Sequence, residues 1–334
     1  METSPVGAPA VVAIVVTRDP GEWFDEAMTS LASQDYPNLA VLVVDAASEV
    51  DPSSRVAHHL PDAFVRRLDD NPGFGGAIND SVGVVEGADF YLCCHDDVAL
   101  APDAVRTLVE EAFRSNAGVV GPKLVTWSDG SRLLSVGESV DKSGTRAALV
   151  DRYELDQEQH DAVRDVFVIP GAATLIRSDL FATIGGFDAA IDFHNDDLAL
   201  CWRAHLAGAR VVVTPSAVAR HVEALGDRQP VDERRRKQNV HRIRTVLTCY
   251  SPLHLLRVVP QMILITVLEM LYSFLIGRTR QARDLMVGWT ANLGQLKSIR
   301  AERARIAGFR AVPDAEIRNL QVRGSARLSA FVRG

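Results

Sequence analysis

The sequence predicts an α/β protein with a mainly parallel central sheet, followed by a basic helical region. Apolar runs alternate with segments of helical periodicity over residues 10–120, which is the pattern of a parallel sheet with right-handed crossovers. Several of these runs end in a carboxylate, at the sheet edge where open α/β proteins bind ligands. The net charge also reverses sign along the chain, which indicates a second module.

Each element of the first half follows from a local pattern. Aliphatic runs predict strands, and apolar residues at three- and four-residue spacing predict helices; a glycine-rich turn over residues 71–76 opens the third helix. The predicted strands are Val11–Val16, Leu39–Val44, Ala63–Leu68, Asp89–Cys94 and Val119–Val120. The predicted helices are Glu22–Ser33, Arg55–Leu60, Ala77–Val85 and Pro102–Arg114.

The second half is less regular. Residues 127–165 are polar and carry no clear periodicity. Beyond them we expect strands at Val166–Pro170, Ala172–Ile176 and Arg210–Thr214, and helices at Asp179–Ile184, Asp197–Leu206, Asp232–Thr248 and Arg278–Ile306.

Charge divides the chain near residue 226. Residues 1–227 carry a net charge of −20 and residues 228–334 one of +13, within a total of −7. This asymmetry predicts an α/β domain over residues 1–226 and a basic, amphipathic helical region over residues 227–334. The four cysteines form no CxxC pair, so we expect reduced thiols and a cytosolic environment.

The apolar stretch Pro252–Gly277 lies between the basic helices. It is long enough to span a bilayer, but it carries His254, Arg257, Pro260, Gln261 and Glu269. Arginines on both sides favour contact with the interface of an anionic membrane; a true span, soluble packing and a homo-oligomer interface stay open. We therefore expect the protein at the cytoplasmic face of the cell membrane, peripherally bound or as part of a longer membrane protein.

The basic run at residues 234–237 has no interleaved aromatic residues. Nucleic-acid grooves use such residues for base stacking. The run therefore favours lipid headgroups as partners, and we expect no nucleic acid.

Two of the candidate carboxylate sites follow predicted strands. Asp96 and Asp97 follow a buried strand and a histidine, and one or two carboxylates suffice to hold a divalent cation on a diphosphate. Asp45 ends an aliphatic strand and is suited to accept hydrogen bonds from a base or ribose. The alternatives are a solvated turn for the pair and a turn cap near Ser48 for Asp45.

A third acidic pair, Asp196 and Asp197, begins a helical segment. A carboxylate there is suited to deprotonate an acceptor hydroxyl, although acidic residues also cap helix N-termini. His221 ends the segment Val211–His221, after a predicted strand that points to the same sheet edge, where it is suited to ligate a metal or to serve a structural role.

Seven segments in this order resemble the family 2 glycosyltransferases, which have the GT-A fold. The subgroup most similar is the rhamnosyltransferase-like and galactofuranosyltransferase-like enzymes of bacterial cell-envelope synthesis. The segments that carry the resemblance are Val15–Asp19; Ser30–Asp45; Asn71–Asn79; His95–Val98; Gly185–Asp188; Asp196–Arg203; and His221.

The resemblance implies an inverting transfer from a nucleotide-diphosphate sugar, with Mg²⁺ or Mn²⁺ bound. It also implies a role for each residue that matches a position of the family's motifs. Asp197 would be the base, and Gly171, Asp196 and Trp202 would lie on the acceptor side. Asp97 and His221, with His95 beside them, would bind the metal. Nucleotide-sugar contacts would come from Thr17, Arg18, Asp45, Asn71, Gly75, Asn79 and Asp96.

The chain departs from the family pattern at several positions. His95 stands at the first position of the DxD motif, Asp196 replaces the usual Glu, and Ala199 stands where many members have a second Asp. Arg18 and Asp19 replace a more usual aromatic-Asn pair. These changes affect the expected donor more than the expected reaction.

The leading hypothesis is sugar transfer to a hydroxyl of a cell-envelope or lipid-linked glycan. Two alternatives stay open. One is sugar transfer to a polyprenyl phosphate, and the other is a non-catalytic membrane scaffold that binds nucleotide-sugars.

Overall fold

A computed structural model describes residues 7–224, 230–324 and 326. Its strands are β1 Val11–Thr17, β2 Leu39–Ala46, β3 Phe64–Leu68, β4 Phe90–His95, β5 Val98–Leu100, β6 Ala117–Thr126, β7 Leu133–Ser135, β8 Glu138–Val140, β9 Arg146–Ala148, β10 Arg164–Asp165, β11 Ala173–Arg177 and β12 Arg210–His221. Its helices are α1 Phe24–Ala32, α2 Ser53–His59, α3 Phe74–Val82, α4 Ala104–Ser115, α5 Ser178–Ile184, α6 Asp196–Leu206, α7 Val231–Cys249, α8 Pro252–Leu275, α9 Thr279–Gly294, α10 Leu296–Phe309 and α11 Asp314–Asn319.

The large sheet has the order β10-β12-β6-β11-β4-β1-β2-β3. The pairs β1–β2, β1–β4, β2–β3 and β6–β12 are parallel. Strand β11 is antiparallel to both of its neighbours, β4 and β6. The predicted α/β class with a mainly parallel sheet is therefore confirmed.

Burial on both faces explains why the central strands are almost entirely apolar. Along β1, Ile14 packs into the core on one side of the sheet, and Ala13 and Val15 pack into the core on the other side. Successive side chains of a strand point to opposite faces, so an aliphatic run is the sequence of a strand covered by helices on both faces.

Three sequence-based predictions of elements were wrong. Residues Val166–Pro170 form no strand beyond one isolated bridge, between Val168 and Glu138. Strands β6 and β12 are much longer than predicted. They pair with each other over most of their lengths, and this pairing continues past two register shifts in β12. Helix α3 begins at Phe74, so Gly75 and Gly76 lie inside its first turn and not in the preceding turn.

The basic helices share a core with the α/β part. Side chains of α7, including Ile243 and Val246, belong to the same buried cluster as Trp202 and Leu206 of α6. The predicted boundary after residue 226 falls in residues 225–229, outside the described residues. The structure separates the long basic stretch predicted over Arg278–Ile306 into α9 and α10.

Helix α8 contains the apolar stretch. It is long and apolar enough to cross a membrane by length and composition, and 22% of its most apolar window is buried in the protein. Leu264, Leu271 and Leu275 are among its exposed apolar side chains.

Candidate active site

The predicted site residues meet at the carboxyl edge of the parallel strands. Thr17, the last residue of β1, pairs in register with Asp45 of β2. On the other side of β1, Val16 pairs with His95, the last residue of β4. This edge is where open α/β sheets bind ligands.

Asp45 is fully buried, and its two carboxylate oxygens have different surroundings. Oδ1 accepts hydrogen bonds from the backbone N–H and the hydroxyl of Ser48, at 3.0 and 2.5 Å. Oδ2 lies 3.4 Å from Nε of Arg67 but has no hydrogen-bond partner among the described residues. The turn role is therefore confirmed, and one oxygen is available for the predicted nucleotide contact.

The acidic pair after β4 is held from two sides. The hydroxyl of Thr17 donates a 2.7 Å hydrogen bond to Oδ2 of Asp96. The backbone N–H of Ala224 donates a 2.8 Å hydrogen bond to Oδ2 of Asp97. Both carboxylates are buried, which excludes a solvated turn.

His95, Asp97 and His221 form a cluster whose ligand atoms all lie within 4.8 Å of one another. Nε2 of His221 is 3.2 Å from Oδ1 of Asp97, and Nδ1 of His95 is 3.8 Å from the same oxygen. These three buried atoms have no hydrogen-bond partner among the described residues. Buried polar atoms rarely lack partners, so the cluster has the character of a ligand site.

The protonation of the cluster also fits a divalent cation. Burial lowers the pKa of His95 to about 4, so its imidazole is neutral at neutral pH. Burial would raise the pKa of Asp97, but His221 and His95 outweigh it and lower that pKa to about 2. A neutral imidazole, as in His95, and an ionised carboxylate, as in Asp97, are forms that bind metals.

Asp197 lies in the first turn of α6, on the other side of Gly171. Its Oδ2 accepts a 3.0 Å hydrogen bond from the backbone N–H of Gly171, and its Oδ1 pairs with the guanidinium of Arg146. Burial would raise the pKa of Asp197, but the charge and hydrogen bond of Arg146 lower it. Burial and the charge of Asp197 raise the pKa of the adjacent Asp196 to about 7.

A cleft of about 560 Å³ lies between the two histidines of the metal cluster and the acidic pair at the start of α6. The predicted site residues that line it are His95, His221, Gly171, Asp196 and Asp197. A Cβ at Gly171 would lie 3.6 Å from both Nε2 of His95 and Cβ of Asp197. A small residue there therefore keeps open the space between the metal cluster and the carboxylate.

Several predicted contacts lie elsewhere. Asn79 forms hydrogen bonds of 2.8 and 2.9 Å with the backbone N–H and C=O of Phe187, and a Cβ at Gly75 would lie 2.6 Å from Cβ of Phe187. Oδ1 of Asn71 accepts a hydrogen bond from Gly73 N–H at 3.0 Å. These three residues shape the start of α3 and do not line the cleft.

Two further predicted residues, Trp202 and Arg18, also lie outside the cleft and have opposite environments. Trp202 is fully buried between Phe167 and Tyr250, because the face of α6 that carries it points into the core. It therefore does not reach the acceptor side of the cleft. The side chain of Arg18 is 54% exposed beside Asp19.

Sequence reasoning missed Arg146 and Glu138, which also line the cleft. Nη1 of Arg146 donates a 2.6 Å hydrogen bond to Glu138, and Nε donates a 3.2 Å hydrogen bond to Asn195. Both residues belong to three-residue strands, β8 and β9. Strands this short show no alternation of polar and apolar residues, so the polar segment gave no signal.

Comparisons of sequence show the family. The family model for glycosyl transferase family 2 matches residues 12–185. A pre-mycofactocin glycosyltransferase of Mycobacterium tuberculosis is 26% identical over 217 residues, which are 63% of this chain and 42% of that protein. The O-antigen biosynthesis protein RfbC of Myxococcus xanthus is 25% identical over 66% of this chain and 18% of its own length. The chain thus spans less than half the length of these curated relatives.

Solved structures show the same fold. The mannosyltransferase PcManGT from Pyrobaculum calidifontis, solved with GDP-Man and Mn²⁺, superposes with a TM-score of 0.53 and 18% identity, over 99% of this chain and 82% of that chain. GalNAc-T7, solved with UDP, GalNAc and Mn²⁺, gives a TM-score of 0.52 and 12% identity, over 64% of this chain and 43% of that chain. The chain therefore has the GT-A fold and belongs to glycosyl transferase family 2.

Proposed function

We propose that this protein is an inverting, metal-dependent glycosyltransferase. It would transfer a sugar from a nucleotide-diphosphate sugar to a hydroxyl of a cell-envelope or lipid-linked glycan. The observation that carries the proposal is the cleft itself, in which His95 and His221 of the metal cluster and the carboxylate of Asp197 flank Gly171.

The donor would lie along the carboxyl edge of β1, β2 and β4. Oδ2 of Asp45 is suited to accept a hydrogen bond from the nucleotide, because it lacks a partner among the described residues. His95, Asp97 and His221 would hold Mg²⁺ or Mn²⁺ against the diphosphate. When bound, the ion supplies positive charge that stabilises the diphosphate as a leaving group.

Asp197 would accept the proton of the acceptor hydroxyl during attack on the anomeric carbon. Its carboxylate is ionised and is fixed by Gly171 N–H and Arg146. An ionised base held on the acceptor side suits a single displacement, which inverts the anomeric carbon without a covalent intermediate. Arg146 makes Asp197 a weak base, so we expect the acceptor to weaken this ion pair when it binds.

The location and acceptor class rest on the basic helices. The net charge of +13 over residues 228–334 suits an anionic membrane surface. Two relatives, RfbC and the succinoglycan biosynthesis protein ExoO of Rhizobium meliloti, carry names from cell-surface polysaccharide synthesis; ExoO is 30% identical over 39% of this chain and 38% of its own length. We infer a role at the cytoplasmic membrane face, on a cell-envelope glycan.

The variant Asp197→Asn tests the proposal. A general base contributes about 10²- to 10⁴-fold to rate, so sugar transfer should fall by that factor while donor binding is kept. The matched control is Asp179→Asn, an exposed carboxylate of α5, which should transfer at the wild-type rate.

Two results would redirect the proposal. Full transfer by Asp197→Asn would indicate a phosphate acceptor, which needs no strong base. Donor binding without transfer or hydrolysis in the wild type, with either metal, would indicate a scaffold.

A further inference from the structure

A second cavity, of about 700 Å³, lies beside the cleft. Its walls come from α7, α8, the start of α9 and the turn between β8 and β9. None of these elements supplies the metal cluster.

The two cavities share three lining residues. Arg146, Asn195 and Gln238 line both of them. The Asn195 side chain accepts a hydrogen bond from Arg146 at 3.2 Å and donates one to the backbone C=O of Gln238 at 2.8 Å. A ligand in the second cavity would therefore contact the arginine that pairs with Asp197.

Several arginines line this cavity. Arg235, Arg242 and Arg278 do so in addition to Arg146, with two carboxylates, Glu269 and Asp284. Arg146 is paired with Asp197 and Glu138, and Arg235 lies 3.4 Å from Asp232, whereas Arg278 forms no ion pair with any residue the structure describes. Guanidinium groups are suited to bind phosphate oxygens, and the charge of Arg278 is available to do so.

The part of the lining that α8 contributes includes exposed apolar side chains. Leu268, Tyr272 and Ile276 line the cavity and are 57%, 45% and 43% exposed. Other side chains of α8, such as Leu264 and Leu271, add to this exposed apolar surface. A chain leaving the cavity along α8 would therefore stay in contact with apolar side chains.

We propose that the second cavity binds the diphosphate and the adjoining lipid segment of a lipid-diphosphate-linked acceptor. The arginines contact the diphosphate, the side chains of α8 contact the lipid, and the sugar portion reaches Asp197 past Arg146. This inference rests on the proposed function and adds to it the acceptor class and the site that recognises it.

Binding of farnesyl diphosphate to the full chain tests the proposal. Titrations are made in chelator, so that the diphosphate does not bind through a metal. Farnesyl diphosphate should bind at least ten-fold more tightly than inorganic pyrophosphate or farnesol, because only the first carries both recognised groups. Arg235→Gln and Arg278→Gln combined should weaken its binding about ten-fold or more.

The matched control is Arg283→Gln, which removes the same charge from an exposed position of α9 outside the cavity. It should bind farnesyl diphosphate as the wild type does. Cosedimentation with phosphatidylcholine vesicles, with and without phosphatidylglycerol, separates a specific site from general attraction to anionic lipid.

Three results would overturn the inference. The first is that pyrophosphate and farnesyl diphosphate bind equally tightly. The second is that Arg283→Gln loses as much farnesyl diphosphate binding as the double variant does. The third is that the double variant loses vesicle binding but keeps farnesyl diphosphate binding. Donor binding with metal is measured separately, so its failure would count against the proposed function and not against this cavity.

Discussion

At the residue scale, the pairing of Asp197 with Arg146 sets the chemistry of the cleft. Two adjacent buried carboxyls do not ionise together easily, and here Arg146 favours the ionised form of Asp197. The pKa of Asp196 is raised to about 7, so Asp196 is the member of the pair that is protonated more readily. This division fits the proposed base role of Asp197.

Arg146→Gln should slow transfer by about 10- to 100-fold, since a hydrogen bond to a charged group contributes about 1.5–3 kcal/mol. Without the guanidinium the pKa of Asp197 in the free enzyme rises, so the acid limb of the kcat/KM profile should move to higher pH. The measurement is kcat/KM against pH, with the exposed Arg106→Gln as control. An unshifted profile in a slowed variant would show that Arg146 acts on something other than Asp197.

The residues that the sequence revealed share a simple context. Asp45 lies at the end of an aliphatic strand, and Asp96 and Asp97 follow an apolar one, so their position at the sheet edge could be predicted from the pattern alone. The positions of Arg146, the partner of Asp197, and of Glu138 could not be predicted in this way, because contacts made across the fold leave no local pattern in the sequence. The resemblance supplied the roles, and the structure supplied the ion pairs that support them.

At the element scale, the glycine-rich start of α3 has a packing role. Gly75 lets the helix approach Phe187 closely, and Asn79 ties the next turn of α3 to the same residue. A glycine-rich segment before a helix resembles a phosphate cradle in sequence. Only the packing of α3 against Phe187 shows why Gly75 is needed.

Gly75→Ala should destabilise the protein by about 1–3 kcal/mol, because its Cβ would lie 2.6 Å from Cβ of Phe187. Gly83, at the end of α3, is the matched control: its φ is −62° and the nearest atom to a new Cβ is 3.6 Å away. Gly83→Ala should be neutral or stabilising by up to about 1 kcal/mol. Urea unfolding of both variants measures this, and equal effects would contradict the packing account.

At the scale of the whole molecule, a buried ion pair ties the basic helices to the α/β part. Nε of Arg244 in α7 donates a 2.8 Å hydrogen bond to Asp188, and a second guanidinium nitrogen of Arg244 donates a 3.0 Å bond to the other carboxylate oxygen. The same guanidinium donates to Ser298 of α10 at 3.0 Å. The charge pattern predicted two modules, and the structure shows that they fold against a common core.

Asp188→Asn should destabilise the protein by about 3–5 kcal/mol at neutral pH, because it leaves the buried Arg244 without a counter-charge. Burial would raise the pKa of Asp188, but Arg244 outweighs it and lowers that pKa. The stabilisation is therefore present above the unfolded-state pKa, about 3.9, and is lost as the pH falls through the lower folded-state value. The difference between wild type and variant should shrink below about pH 4.

Urea unfolding from pH 7 to pH 3 checks this, with the exposed Asp179→Asn as control, for which we expect a change of at most about 1 kcal/mol. A difference that stays constant across this range would contradict the assigned ion pair.

The most direct test of the account is a thermal-shift panel of nucleotide diphosphates and nucleotide-sugars with Mn²⁺, Mg²⁺ or chelator. A ligand at 100 times its Kd should stabilise the fold by about 2.7 kcal/mol. We predict that one nucleotide class raises the unfolding temperature and that this shift requires a metal. The shift should be lost in Asp97→Ala, because the substitution removes the carboxylate oxygen that lies near both His95 and His221. A shift of equal size in chelator or in folded Asp97→Ala, or no shift with any nucleotide, would contradict a metal-dependent donor site.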